Sequence, residues 1–183
     1  WDPTLVDLGD GAVLIVGGAE TPGLVAEIVD LGTGITRSIE WSEARIAIDH
    51  VVRTTDGRVV GLGWRWSDID TEQIGVLIEI DAAARTARVI ATLPDGRAGA
   101  TLTPVADGRV LVIAGERSGV SPTTVATVET FDPAMGTFTP NGALQRPRAG
   151  ATATTLDDGR VLIIGGSRYE PAITGGWAVD SGI

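Results

Sequence analysis

Short aliphatic runs set between glycines give this chain its pattern. Four segments superimpose: Asp10-Gly-Ala-Val-Leu-Ile-Val-Gly-Gly18, Asp56-Gly-Arg-Val-Val-Gly-Leu-Gly-Trp64, Asp107-Gly-Arg-Val-Leu-Val-Ile-Ala-Gly115 and Asp158-Gly-Arg-Val-Leu-Ile-Ile-Gly-Gly166. Their starts lie 46, 51 and 51 residues apart, and an aspartate closing a second β-like run recurs at Asp30, Asp81 and Asp132, again 51 and 51 apart. Two markers with one spacing define a repeat, in units of about 1–44, 45–96, 97–147 and 148–183. An apolar stretch running into Asp-Gly, followed by an aliphatic run, predicts a hairpin with a two-residue type I′ turn. Equivalent second strands are then expected at 12–17, 58–63, 109–114 and 160–165, each ended by its glycine pair. After a loop, a third strand reaches Asp132-Pro-Ala-Met-Gly136, which suits a type I turn into a fourth. No long stretch carries helical periodicity, so the pattern predicts an all-β chain of three complete four-stranded units and most of a fourth.

The upstream matches Arg97-Ala-Gly-Ala-Thr101 and Arg148-Ala-Gly-Ala-Thr152 complete a motif. It reads Arg-x-x-Ala, then Asp-Gly-Arg-Val-Leu-Ile-x-Gly-Gly, then Glu129-Thr-Phe-Asp-Pro-x-x-Gly-Thr-Phe138. This motif resembles the kelch repeat of β-propellers, which places a double glycine after the second strand and an aromatic pair on strands three and four, where Phe131 and Phe138 stand. The units depart from it at Val29 and Thr36, at Ile80 and Ala87, and at the broken glycine pairs Gly63-Trp64 and Ala114-Gly115. The resemblance implies a partial kelch-like β-propeller, with the loops after strands two and four on one face. By family analogy it also implies a bacterial extracellular or periplasmic setting within a larger assembly.

Charge narrows the partners. In 183 residues, 14 arginines and no lysine stand against 24 acids, a net charge of −10, so the basic footprint of a nucleic-acid binder is missing. The absence of cysteine excludes disulfides, thiolate metal sites and cysteine nucleophiles, and a single histidine, His50, excludes a multi-histidine metal site. No aliphatic run approaches the roughly 18 residues of a membrane span. The chain begins at Trp1 with no signal-like stretch, as expected of a fragment or of a chain whose leader has been removed.

Candidate binding residues fall on the loops that vary while the strands repeat: Ala19–Val25, Arg65–Gly75, Glu116–Thr124 and Ser167–Gly176. Trp64, Arg65 and Trp66 beside Asp68 and Asp70 form the densest group, since tryptophan and arginine anchor interfaces. The alternative is that both tryptophans pack against a neighbouring unit. Asp68, Asp70, Glu72 and Glu79 have the spacing of a calcium loop, but Gln73 stands where its sharp turn requires glycine. Arg45, Arg97 and Arg148 begin successive first strands, and in a propeller they would ring one mouth of the channel. There they would hold an anionic ligand or pair with carboxylates or carbonyls of the next unit. Asp10, Asp56, Asp107 and Asp158 serve the turns. His50 replaces Thr101 and Thr152 of the matching units, with no Ser or Cys motif beside it. No catalytic residue, metal or cofactor is assigned. The expected function is a non-catalytic protein-binding or scaffold module, its partner a protein or a second copy. The rival is a carbohydrate-binding or hydrolytic propeller using the Trp and Asp/Glu of the loop face.

Overall fold

The computed structural model describes residues 3–17, 26–41, 46–66, 73–93, 96–117, 123–171 and 177–180. The first sheet takes β1 (Thr4–Asp7), β2 (Ala12–Val16), β3 (Ala26–Asp30) and β4 (Thr36–Ser38) in that order. The second takes β6 (Ile46–Arg53), β7 (Val59–Trp66), β8 (Gln73–Asp81) and β9 (Thr86–Thr92), and the two-residue β5 (Glu40–Trp41) pairs in parallel with β9 at its outer edge. In the third, β10 (Thr101–Pro104), β11 (Val110–Ile113), β14 (Thr127–Asp132) and β15 (Thr137–Ala143) form the sheet, and β12 (Glu116–Arg117) with β13 (Thr123–Thr124) extends it as a small ladder. The fourth consists of β16 (Ala149–Thr155), β17 (Val161–Pro171) and β18 (Trp177–Asp180). Every pairing except that of β5 is antiparallel, and among the described residues the only helical feature is a 3-10 turn at Ala106–Gly108. The chain is all-β, and its second strands lie where the repeat predicts them.

Two local expectations are corrected. The Asp-Gly hairpins are not two-residue type I′ turns. At 54–58 the Gly57 N–H donates to the Thr54 carbonyl (3.0 Å) and the Thr54 N–H to the Arg58 carbonyl (2.8 Å), with only Gly57 left-handed at φ 90°. The same pair of bonds closes 156–160 around Gly159, so these are three-residue loops in which a type I turn precedes a left-handed glycine. Only Asp107-Gly108 puts both residues at positive φ, 65° and 72°. The arginine of Asp-Gly-Arg holds the turn, since Arg58 and Arg160 reach back through Nε to Asp56 (3.1 Å) and Asp158 (2.7 Å).

The glycine pair ends the second strand in only some units: β2 stops at Val16 before Gly17 and β11 at Ile113 before Ala114, whereas β17 runs on through its pair. Ala114 and Gly115, at φ 55° and 104°, bend the chain, which resumes pairing in β12; Gly165 and Gly166 bend β17 without breaking it. Where the pair is broken at Gly63-Trp64, neither residue has positive φ and β7 runs straight to Trp66.

The aliphatic runs are continuous because the inner sheets are covered on both faces. In the second sheet, Val59, Val76, Ile78 and Ile80 face Val6, Leu14 and Ile28 of the first, while Val60, Leu62 and Leu77 face Leu102, Val110 and Val112 of the third. Leu111 and Ile113 turn the other way, onto Ala153, Val161 and Ile163 of the fourth. The four sheets therefore stack in chain order, with β1 beside β6, β6 beside β10 and β10 beside β16. Cross-bonds tie β10 to β16: Thr101 donates to the Ala151 carbonyl, Thr155 donates to that of Pro104, and the Thr103 and Thr155 hydroxyls lie 3.2 Å apart.

Phe131 and Phe138 pair directly across β14 and β15, ring centroids 4.8 Å apart, with Phe131 fully buried and Phe138 half-buried. We expect Phe131→Ala to cost about 3–5 kcal/mol in urea denaturation, as other large-to-small core changes do, and Leu162→Ala, on the outer face of the fourth sheet, to cost under about 1. A loss below about 1 kcal/mol for Phe131→Ala contradicts the assigned core.

Candidate functional site

Of the three arginines expected at a channel mouth, Arg45 lies outside the described residues. Arg97 is buried, 2% exposed, and turned into its own sheet. Its Nη1 donates to the carbonyls of Ala114 (3.3 Å) and Thr127 (3.2 Å), and its Nη2 pairs with Glu129. Arg148 repeats the first contact one unit on, donating from Nη1 to the Gly165 carbonyl at 2.9 Å, but is half-buried. The left-handed bend at Ala114 and Gly165 aims these carbonyls at the guanidinium, which links the motif's arginine to its glycine pair. Backbone bonds continue the chain of contacts, from the Gly115 N–H to the Arg148 carbonyl (2.9 Å) and from the Gly150 N–H to that of Gly99 (2.8 Å). The contacts of Arg97 described here are therefore internal to its unit.

The Trp64 group is only partly visible: Asp68 and Asp70 lie outside the described residues, as does the side chain of Trp66, whose backbone closes β7. Strand alternation sends Trp64 and Arg65 to opposite faces of the second sheet, so the two do not form one patch. Both are half-buried. The Trp64 indole donates to Asp49 Oδ1 at 3.2 Å.

Asp49 is a residue that the repeat pattern did not single out. Arg97 and Arg148 each precede their turn aspartate by ten residues, whereas Arg45 precedes Asp56 by eleven. The extra residue appears as a bulge in β6, where pairing with β7 shifts between Ile48 and His50. The bulged Asp49 turns toward the third sheet, accepting from Trp64 and from the Gly99 N–H (3.4 Å). One unit on, the Gly99 carbonyl accepts the equivalent Gly150 N–H, so here a carboxylate replaces a backbone acceptor. Gly63 opposite the bulge is obligatory, since a Cβ there would lie 2.2 Å from the Ala47 carbonyl oxygen. Burial raises the Asp49 pKa above the ordinary carboxylate value, and it lowers that of the neighbouring His50. Among the described residues, no three His, Asp or Glu side chains gather as a metal ion would require.

No family model matches the chain, and no curated protein is similar to it. Among solved structures it is similar to one described as "Structure of YjhT", with a TM-score of 0.66 at 13% identity over 99% of this chain. At that identity the likeness is one of fold. The chain spans 64% of the length of that neighbour.

The lowered His50 pKa has a signed consequence. The unfolded chain takes up the proton nearer the ordinary value of 6.5, so stability is fully present above that pH and is lost as pH falls through the lower folded-state value. His50→Thr restores the residue found at Thr101 and Thr152 and removes this dependence. Between pH 7 and 5.5, the melting temperature of the parent protein should fall relative to that of the variant. Parallel curves would count against a half-buried neutral imidazole.

Proposed function

We propose that this chain is part of a kelch-like β-propeller and acts as a non-catalytic protein-binding or scaffold module within a larger ring or assembly. One observation carries this reading. Four similar sheets stack in chain order with their first strands adjacent, and the two end sheets turn apolar faces outward that no described residue covers. Leu5 is 64% exposed on the first sheet, and Leu162 and Ile164 are 47% and 59% exposed on the fourth. Equivalent positions of the inner sheets, Leu111 and Ile113, are covered by the next unit. Exposed apolar sheet faces favour association, and the partner that fits is another sheet of the same kind, from a second copy, another subunit or further units. The greater length of the chain described as YjhT supports this, because the part similar to this chain makes up 64% of it.

The binding surface in this reading is formed by the outer sheet faces, with Trp64 and Arg65 contributing from opposite faces of the second sheet. Arg97 holds the third unit together instead. The catalytic rival rests on Asp68 and Asp70, and His50 offers it no second group of suitable chemistry.

Size-exclusion chromatography with light scattering tests the proposal. The 183-residue chain should associate in a concentration-dependent way, and the pair Leu162→Ser and Ile164→Ser should move it toward monomer without lowering its melting temperature. A compact 18.9 kDa monomer at all concentrations, indifferent to the two substitutions, would overturn it.

A further inference from the structure

Between the first and second sheets, at the end of the stack where their hairpin turns lie, opens a cleft of about 770 Å³, within the range of small-molecule sites. Its apolar lining comes from Leu8, Ile28, Val59 and Ile80, where the shared core reaches the surface. Around this floor stand four arginines and five carboxylates, and the two sets differ in how far they are already engaged.

Most of the carboxylates have donors. Asp30 Oδ1 accepts the N–H groups of Gly32 (2.9 Å) and Thr33 (2.8 Å), and Asp81 Oδ1 accepts that of Ala84 (2.8 Å). Asp56 is held by Thr54 and Arg58, and Glu79 by Arg58 and Arg88. Asp10 alone of the five has no hydrogen-bond partner among the described residues. Of the arginines, Arg58 is committed to Asp56 and Glu79, and Arg37 lies near enough to Asp30 to help the Thr33 hydrogen bond hold its carboxyl below the ordinary value. Arg53 and Arg85 make no hydrogen bond or ion pair through their guanidinium groups among the described residues.

Both are nonetheless placed. The Arg53 guanidinium lies against the turns of two units: a Cβ on Gly9 would stand 2.4 Å from its Nη1, and one on Gly57 3.7 Å from its Nη2. Glycine at position 9 is thus what leaves room for this side chain. Arg85 sits at φ 57°, a left-handed conformation uncommon for arginine, and its carbonyl accepts the Glu40 N–H at 2.8 Å, which ties this turn to the strand arriving from the first unit.

We propose that this cleft is a binding site for a small organic anion, a carboxylate or phosphate on an apolar body. Arg53 and Arg85 supply charge-assisted hydrogen bonds to the anionic group, and Leu8, Ile28, Val59 and Ile80 receive the apolar part. Asp10 opposes binding at the rim. The site is lined by described residues of the first two units alone, so it does not rest on the propeller reading.

Isothermal titration of the full chain with phenyl phosphate, benzoate and inorganic phosphate tests this. Phenyl phosphate or benzoate should bind saturably, more weakly as ionic strength rises, and inorganic phosphate should bind less well than phenyl phosphate because it leaves the apolar floor unused. Arg53→Gln and Arg85→Gln should each weaken binding by about tenfold, the order of one charge-assisted contact, while Asp10→Asn should tighten it. Arg85→Gly suits the left-handed backbone, so it should lose binding while keeping or raising the melting temperature, which separates the site from the fold. Arg109→Gln, on the turn of the third unit, should leave affinity unchanged. No saturable binding of any of the three compounds, or equal losses in Arg109→Gln and Arg85→Gly, would overturn the proposal.

Discussion

A sheet whose strands are apolar on both sides must be covered on both sides, and the rest of this molecule follows from that constraint. The run Val110-Leu-Val-Ile113 has no polar face to offer water, and all four residues are buried because the second sheet lies on one side and the fourth on the other. Burial of this kind contributes about 1.5–3 kcal/mol per large aliphatic side chain, so a unit separated from its neighbours would lose much of what holds it folded. Stability is therefore shared between consecutive units, and it weakens where the stack runs out of neighbours.

Close stacking makes its own demands on the backbone. Within the third unit the glycine after the second strand lies against the start of the first, where a Cβ on Gly115 would meet Ala100 at 2.8 Å, and between units a Cβ on Gly99 would stand 3.5 Å from Ala149. The left-handed bends that admit this approach turn carbonyls aside, and the motif's arginine engages them. In the second unit the bend is absent and the irregularity moves to the first strand, where Asp49 supplies the acceptor. Burying a charge such as Arg97 is costly unless it is matched, and Glu129 with two carbonyls matches it. An arginine so engaged has little left to offer a ligand, whereas the exposed Arg53 and Arg85 retain their donors.

Strand positions, the pairing of Phe131 with Phe138 and the turn role of Asp56 and Asp158 could be read from the sequence because each depends on residues close in the chain or on a repeated spacing. The aspartates closing the third strands were also legible, and Asp30 and Asp132 each accept two backbone N–H groups in the turn that follows. What stayed hidden depends on contacts between units. A hairpin of Asp-Gly fits both two- and three-residue loops, and the choice is made where turns of adjacent units meet, as when Thr55 accepts the Gly108 N–H at 3.0 Å. The direction of Arg97 could not be read from its position at the head of a strand. Asp49 had left a trace in the eleven-residue spacing of its unit, but nothing local said that the extra residue would be a half-buried acid. The cleft between the first two sheets combines residues from four turns that no single motif contains.

Amide hydrogen exchange along the whole chain tests the central claim of sheets stabilised by neighbours on both faces, because protection reports local opening free energy. The account predicts slowest exchange in β7, β8 and β11, which are covered on both sides, and faster exchange in β1 and β17, whose outer faces no described residue covers, although all are hydrogen-bonded strands. Uniform protection across the four sheets, or a fourth sheet more protected than the second, would contradict it.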